Sequence, residues 1–243
     1  MPRVPRSIAR LLLMLCAVGT ITPALAAEVR YALDPVHTRV MFAVEHAGFS
    51  KALGTVSGTT GTLVFDPDDW ASARIDATVP LARADLGDEK WNRATLARNL
   101  LDGERFPEAR FVSTRVEPID ARHATVVGLL TLRGVTREVS LAVTLNALKR
   151  HPLPPFRQTA GFSATARISR SRFGIDAWKS VIGDDVELRL EGEATRSRAD
   201  ADEDGGPADA GDPPAPQDAG PGQATEPADA GRRAQDPMPK PAR

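Results

Sequence analysis

The sequence predicts an all-β fold, an antiparallel eight-stranded barrel with one helix. Three observations lead there. Apolar and polar residues alternate at period two through most of residues 27–196, the pattern of strands with one apolar and one wet face. Turn-forming residues interrupt that alternation at short intervals. A single stretch carries both the start and the stop signals of a helix.

The strands follow in chain order. Val36, Thr38, Val40, Phe42 and Val44 alternate with His37, Arg39, Met41, Ala43 and Glu45. Ala73, Ile75, Ala77, Val79 and Leu81 alternate with Arg74, Asp76, Thr78 and Pro80. Val135, Val139, Leu141, Val143 and Leu145 alternate with Thr136, Glu138, Ser140, Ala142 and Thr144, and Val186, Leu188 and Leu190 with Glu187, Arg189 and Glu191. Asp66-Pro67-Asp68-Asp69 ends one strand, Arg133-Gly134 makes a short hairpin connection, and the stretch from His151 to Pro155 breaks another. Strands are expected near 36–46, 51–65, 71–81, 109–118, 122–132, 135–147, 158–169 and 185–195. The helix is expected from Asp88 to Leu101, with Asp88 as its cap, Glu89 in the positive first turn and Gly103 as the stop. Sequential antiparallel strands on short connections make a meander, and closing it removes the edges that invite aggregation. A flattened sandwich without a cavity is the alternative. Gly54, Gly58 and Gly61 in the second strand favour the barrel, because glycine permits sharp coiling.

The two ends of the chain read differently. Arg3, Arg6 and Arg10 precede an uncharged run from Leu11 to Ile21, and Ala24-Leu25-Ala26 offers small residues for cleavage. Residues 1–26 therefore read as a secretory signal peptide, with the mature chain starting at Ala27. The apolar run is roughly half of the ~20 residues that a membrane span needs. Cys16 is the only cysteine and follows Met14 and Leu15, where a lipoprotein signal would carry small residues. The mature chain then has no disulfide and no thiolate metal site. From Ser197 onward there is no Ile, Leu, Val, Phe, Tyr or Trp, so residues 197–243 read as a disordered Ala/Pro/Gly/Asp-rich tail, either a spacer or a solvating appendage. The 170 or so residues between suffice for one domain with a sizeable core. Net charge is −1, and no basic stripe with interleaved aromatics points to nucleic acid.

Several segments together resemble the YceI-like family. Asp34-Pro35-Val36-His37-Thr38 followed by Val40, Phe42, Val44 and His46 is similar to its opening. Phe106-Pro107, Phe111, Ser113-Thr114 and Val116 resemble its central segment, and Gly128 through Arg137 its most typical hairpin. Gly161-Phe162-Ser163 and Arg170 through Ile175 resemble its end, so the likeness spans about Tyr31 to Ala194. The resemblance implies a lipocalin-like barrel with a helix over one side, exported to the periplasm, whose members in some cases hold polyisoprenoid or quinone-like lipids. It implies no catalytic site. The sequence departs from the family at Trp91-Asn92-Arg93-Ala94-Thr95, where the family often has Arg-Asp-x-His-Leu, at Arg172, where an acidic residue is usual, and at Glu138, where proline is common.

Candidate functional residues follow from the pattern and the resemblance together. Phe42, Phe65, Phe111 and Phe162 lie on different strands and, with Val40, Val44, Val79, Leu130 and Leu141, can line a barrel interior, with Trp91 and Leu100 on the helix side. Apolar walls with few polar anchors suit a lipid, each buried CH₂ contributing about 0.8 kcal/mol. A packed core gives the same alternation. His46 suits a head-group contact at the barrel mouth, and Arg93 and Arg170 and Arg172 are cations suited to a phosphate or carboxylate head; plain surface arginines are the alternative. His37 and His46 differ in strand parity and point to opposite faces, so no metal site is expected between them. No nucleophile elbow, phosphate loop or His-Glu-x-x-His occurs. The expectation is thus a carrier of an apolar isoprenoid or quinone-like lipid, without cofactor or catalytic residues, making transient membrane contact. A barrel used as a rigid envelope module without ligand, and an accessory to membrane quinone electron transfer, are the rival readings.

Overall fold

A computed structural model describes residues 28–197. The expected signal peptide and all but the first residue of the expected tail lie outside the described residues. Eleven strands form one antiparallel sheet: β1 (Arg30–Leu33), β2 (Arg39–His46), β3 (Ser50–Val56), β4 (Thr60–Val64), β5 (Arg74–Pro80), β6 (Ala84–Asp85), β7 (Glu108–Pro118), β8 (His123–Leu132), β9 (Val135–Arg150), β10 (Gln158–Ser169) and β11 (Ile182–Arg196). The helix α1 (Glu89–Leu96) lies between β6 and β7.

The strands pair in the order β1, β4, β5, β7, β8, β9, β10 and β11, and β11 returns to β1, which closes the ring. β2 continues β1 along the same partner: β11 pairs with β1 through Ala194–Arg196 and with β2 through Ile182–Glu191. β3 and β4 likewise form one interrupted strand beside them, and β5 and β6 another. Counted this way the sheet is a closed, eight-stranded up-and-down barrel, as the sequence predicts.

The interruptions have local causes. Asp34 folds an Asx turn, its Oδ1 accepting from the Val36 and His37 amides at 2.8 and 3.3 Å. The chain rejoins the sheet at Thr38, whose hydroxyl donates to the Glu193 carbonyl. Gly58, at φ 80°, donates its amide to Pro35 and lies against Arg83 so closely that a Cβ would meet that side chain. The break in each of the three strands therefore sits beside the next, and the wall bends there. The sequence pattern missed β1 and ran 51–65 as one strand, because a short break leaves the alternation on either side intact.

The helix is shorter than expected. Asp88 caps it as predicted, its carboxylate accepting from the Lys90 and Trp91 amides. Ala97 then turns extended, and Gly103 donates back to the Leu96 carbonyl at 2.9 Å. Leu100 and Leu101 leave the helix to pack on the cluster of Val139, Ile168, Phe173 and Ile175. Burial against the barrel thus overrides a helical propensity that would carry on to Leu101.

The lower end of the barrel, where Arg30 and Ser197 meet, is packed solid. Phe65 stands edge-on to Trp70 at 5.0 Å and to Phe162 at 5.3 Å, with Tyr31, Ala160 and Ala194 buried around them. Trp70 comes from a 3-10 turn that follows β4 and folds under the sheet.

Candidate functional site

Above that cluster the interior is hollow. A cavity of about 480 Å³ extends from Phe65, Trp70 and Phe162 up to Glu45, His46 and Trp91. The inward parity of each strand builds its wall. Val40, Phe42 and Val44 on β2 face Leu190, Leu188 and Val186 on β11 in register. Val79, Phe111, Leu130 and Leu141 continue the wall around the ring, and Leu100 reaches it from the segment after α1. All eleven residues picked from the sequence as cavity lining border this space.

Two glycines shape it. Phe42 pairs across the sheet with Gly54, and Gly128 lies beside Phe111; a Cβ on either glycine would overlap the facing phenyl ring. The rings therefore lie down on bare backbone instead of standing into the lumen. The sequence reading assigned Gly54 to coiling alone. Its second service shows only once the register places Phe42 opposite. Leu188, on an apolar face that the alternation shows, and Ile182 and Trp70, outside the alternation, also line the cavity but are not among the residues selected from the sequence.

Polar groups are few in the wall. His46 ends β2 on the cavity side, its ring 5.4 Å from the Trp91 indole, and together they frame the upper opening. The arginines expected to hold a head group stand otherwise. Arg170 borders the cavity, but its buried guanidinium donates to the carbonyls of Gly183, Ile175, Ala177 and Ile182 at 2.7–2.9 Å and so ties the 170–183 segment together. Arg93 points into solvent and pairs with Glu89 one helical turn away, outside the cavity wall. Arg172 faces a separate polar cleft of about 290 Å³ on the outer wall, with Arg137 and Arg167, where β9 and β10 diverge above Ala142 and Thr165. A linear sequence cannot separate these cases, because the 3-10 turn at Arg170–Phe173 sends its two arginines to different sides.

One group of metal-ligand type converges among the described residues: the half-buried Asp34 and Glu193 and the exposed His37, on the outer surface at the first strand break. His37 Nδ1 lies 2.7 Å from Asp34 Oδ2 and 4.0 Å from Glu193 Oε2. Burial opposes ionisation of Asp34, but hydrogen bonds from the His37 ring and the Val36 and His37 amides outweigh it and hold the carboxyl below its usual range. The same hydrogen bond and the Asp34 charge raise His37. These contacts make the group a bracket across the break, and His46 lies on the opposite face of the wall.

The comparisons with known proteins agree with this architecture. Residues 31–194 match the family model described as a YceI-like domain. A relative from Serratia proteamaculans, described as a UPF0312 protein, is 31% identical over 185 residues, which is 76% of this chain and 93% of the relative. The structure is similar to that of Burkholderia cenocepacia BcnA, with TM-score 0.59 and 24% identity over 65% of this chain and 96% of BcnA. It is also similar to a polyisoprenoid binding domain from Saccharophagus degradans, with TM-score 0.53 and 13% identity over 69% of this chain and 98% of that domain. At such identities the structural likeness speaks for the fold.

Proposed function

The chain belongs to the YceI-like family, and from that premise we propose that it is an exported carrier that sequesters a long apolar lipid, isoprenoid or quinone-like, inside the barrel. The observation that carries this reading is the cavity itself, about 480 Å³ of space bounded almost wholly by aliphatic and aromatic side chains. That size falls in the range of roughly 300–1,000 Å³ usual for small-molecule sites. Without a ligand these apolar walls face water through the upper opening. An apolar chain fills the cavity and escapes water at the same time, gaining about 0.8 kcal/mol per CH₂.

Binding, not catalysis, is the activity this arrangement favours. The polar side chains that border the cavity are spread apart or already engaged: His46 and Glu45 stand at the mouth, Arg170 is spent on four carbonyls, and Glu191 accepts from Ser163. Export rests on the N-terminal sequence, and the periplasm is the proposed location. A water-insoluble cargo must be taken from and returned to a membrane, so transient membrane contact belongs to the same reading.

The test is thermal unfolding of delipidated protein with isoprenoid alcohols of increasing length. A ligand that binds only the folded state raises the midpoint. The midpoint should climb with chain length until the cavity is full and then level off. No rise with any chain would refute the carrier reading.

A further inference from the structure

We propose that the upper rim formed by the β2–β3 hairpin, the 176–181 turn and α1 docks on the surface of a lipid bilayer by inserting Phe49, Trp178 and Trp91. The proposal rests on the carrier reading and names the surface through which the cavity is loaded.

Three exposed aromatics meet at this rim. Phe49, at the tip of the hairpin, is 93% exposed, and Trp178 is 61% exposed. The two loops that carry them are tied together by the Ala47 amide, which donates to the Val181 carbonyl at 2.6 Å. Trp178 in turn accepts from the Val181 and Ile182 amides. The third, Trp91, is 43% exposed and touches His46, the residue from which the hairpin departs. Met41 and Leu53, also exposed, extend the apolar surface down the outer face of β2 and β3. Four of the ten large exposed apolar side chains among the described residues, Phe49, Leu53, Trp91 and Trp178, thus belong to this corner. A patch of that kind marks a contact surface.

Trp178 is held at φ 58°, a left-handed conformation that glycine adopts freely.

The location identifies the partner. The cavity opens between these elements, since His46, Trp91 and Ile182 border both the rim and the lumen. β6 reaches only Thr55 and Val56, so Ser50–Gly54 has a strand neighbour on the β2 side alone, and the wall is notched next to α1. Indole and phenyl rings are the side chains that settle at a membrane–water interface. The cations of the rim are largely neutralised: Lys51 pairs with Glu187, Lys179 with Asp176 and Arg93 with Glu89. Contact therefore comes from ring insertion and does not call for anionic lipid. The described ends of the chain, Glu28 and Ser197, lie at the opposite end of the barrel.

The experiment uses residues 27–243, which contain every described strand, and phosphatidylcholine vesicles. Wild type is compared by co-sedimentation with Phe49→Ser/Trp178→Gly, in which glycine suits the backbone at 178. Leu153→Ser/Phe156→Ser is the control, since it removes two exposed apolar residues of the lower end. The rim variant should lose vesicle binding by about tenfold for each aromatic removed, and the control should not. Added salt should leave wild-type binding unchanged. Uptake of an isoprenoid alcohol from dilute ethanol should match wild type, while uptake from preloaded vesicles should slow. Equal vesicle binding by wild type and rim variant overturns the proposal, as does binding abolished by salt. Self-association that requires Phe49 and Trp178, without vesicle binding, also overturns it and makes a second copy the occupant. Vesicle binding lost in the rim variant, with no loading of wild type by either route, supports the docking surface and refutes the carrier reading alone.

Discussion

At the lower end of the barrel Phe65, Trp70 and Phe162 meet edge to face and fill the cross-section; at the upper end Trp91 and His46 stand at the border of an opening. Both ends are built from the same strands with the same inward alternation. The difference lies in what the connections supply. Below, the 3-10 turn after β4 drives an indole under the sheet. Above, the connection from β10 to β11 is anchored by a buried arginine that bonds to backbone and by the buried Phe173, while its indole, Trp178, turns outward. Period-two alternation decides which side chains face in. The loops decide whether they meet a partner or face a void.

Substitutions can break that contrast. Phe65→Ala should give the largest loss, roughly 3–5 kcal/mol, because Phe65 is nearly fully buried between two rings. Urea unfolding should show a lower midpoint at an unchanged slope. A loss below 1 kcal/mol or so would mean that the lower end is as loose as the upper.

Arg170→Met should cost about 3 kcal/mol, since four carbonyls lose a charged donor and some cannot reach water. Arg170→Lys should recover little, because an ammonium cannot span the four acceptors. Both variants should unfold earlier with and without lipid. Unchanged stability with lost lipid binding would instead return Arg170 to the head-group role expected from the sequence.

Phe42→Ala should cost under about 2 kcal/mol in delipidated protein, less than a packed phenylalanine, and should weaken lipid binding. Gly54→Ala sharpens the point. The new methyl must push the Phe42 ring off the wall, and the ring has the lumen to move into. Stability should change little while the longest chain that binds becomes shorter. A large loss of stability without a change in ligand length would show that the lumen is closed around Phe42.

The smallest effect concerns pH. Asp34 raises the pKa of His37, so the pair favours folding most while His37 is protonated and Asp34 ionised. The His37 contribution is present below its unfolded pKa and fades as pH rises through the raised value. The Asp34 contribution is lost as pH falls through its lowered value. The pair is exposed, so the swing is small. His37→Gln should flatten the alkaline side of the stability profile, measured by urea midpoint against pH. An identical profile in the variant would remove the bracket from the account.

Much of this was legible in the sequence because burial in a barrel writes itself at period two. Val40, Phe42 and Val44 could be placed on one face, and the capping role of Asp88 followed from residue type. What escaped depends on distant partners. β1 is too short to show alternation, and the shortened helix answers to the docking of Leu100 and Leu101. Of the three arginines only Arg170 borders the cavity, and the sequence could not separate it from Arg93 and Arg172 because charge says nothing of direction once the chain leaves a regular strand. The bare-backbone beds beneath Phe42 and Phe111 need the register, which no local pattern contains.

The central claim is that the hollow above Phe65 and Trp70 is kept for a lipid. The most direct measurement is organic extraction of protein purified from its native host without detergent, followed by mass spectrometry of the extract. The account predicts an isoprenoid or quinone-like species near one equivalent per chain, depleted in protein carrying Gly54→Ala. An extract without lipid, from protein whose stability does not change when isoprenoid is added, would contradict it.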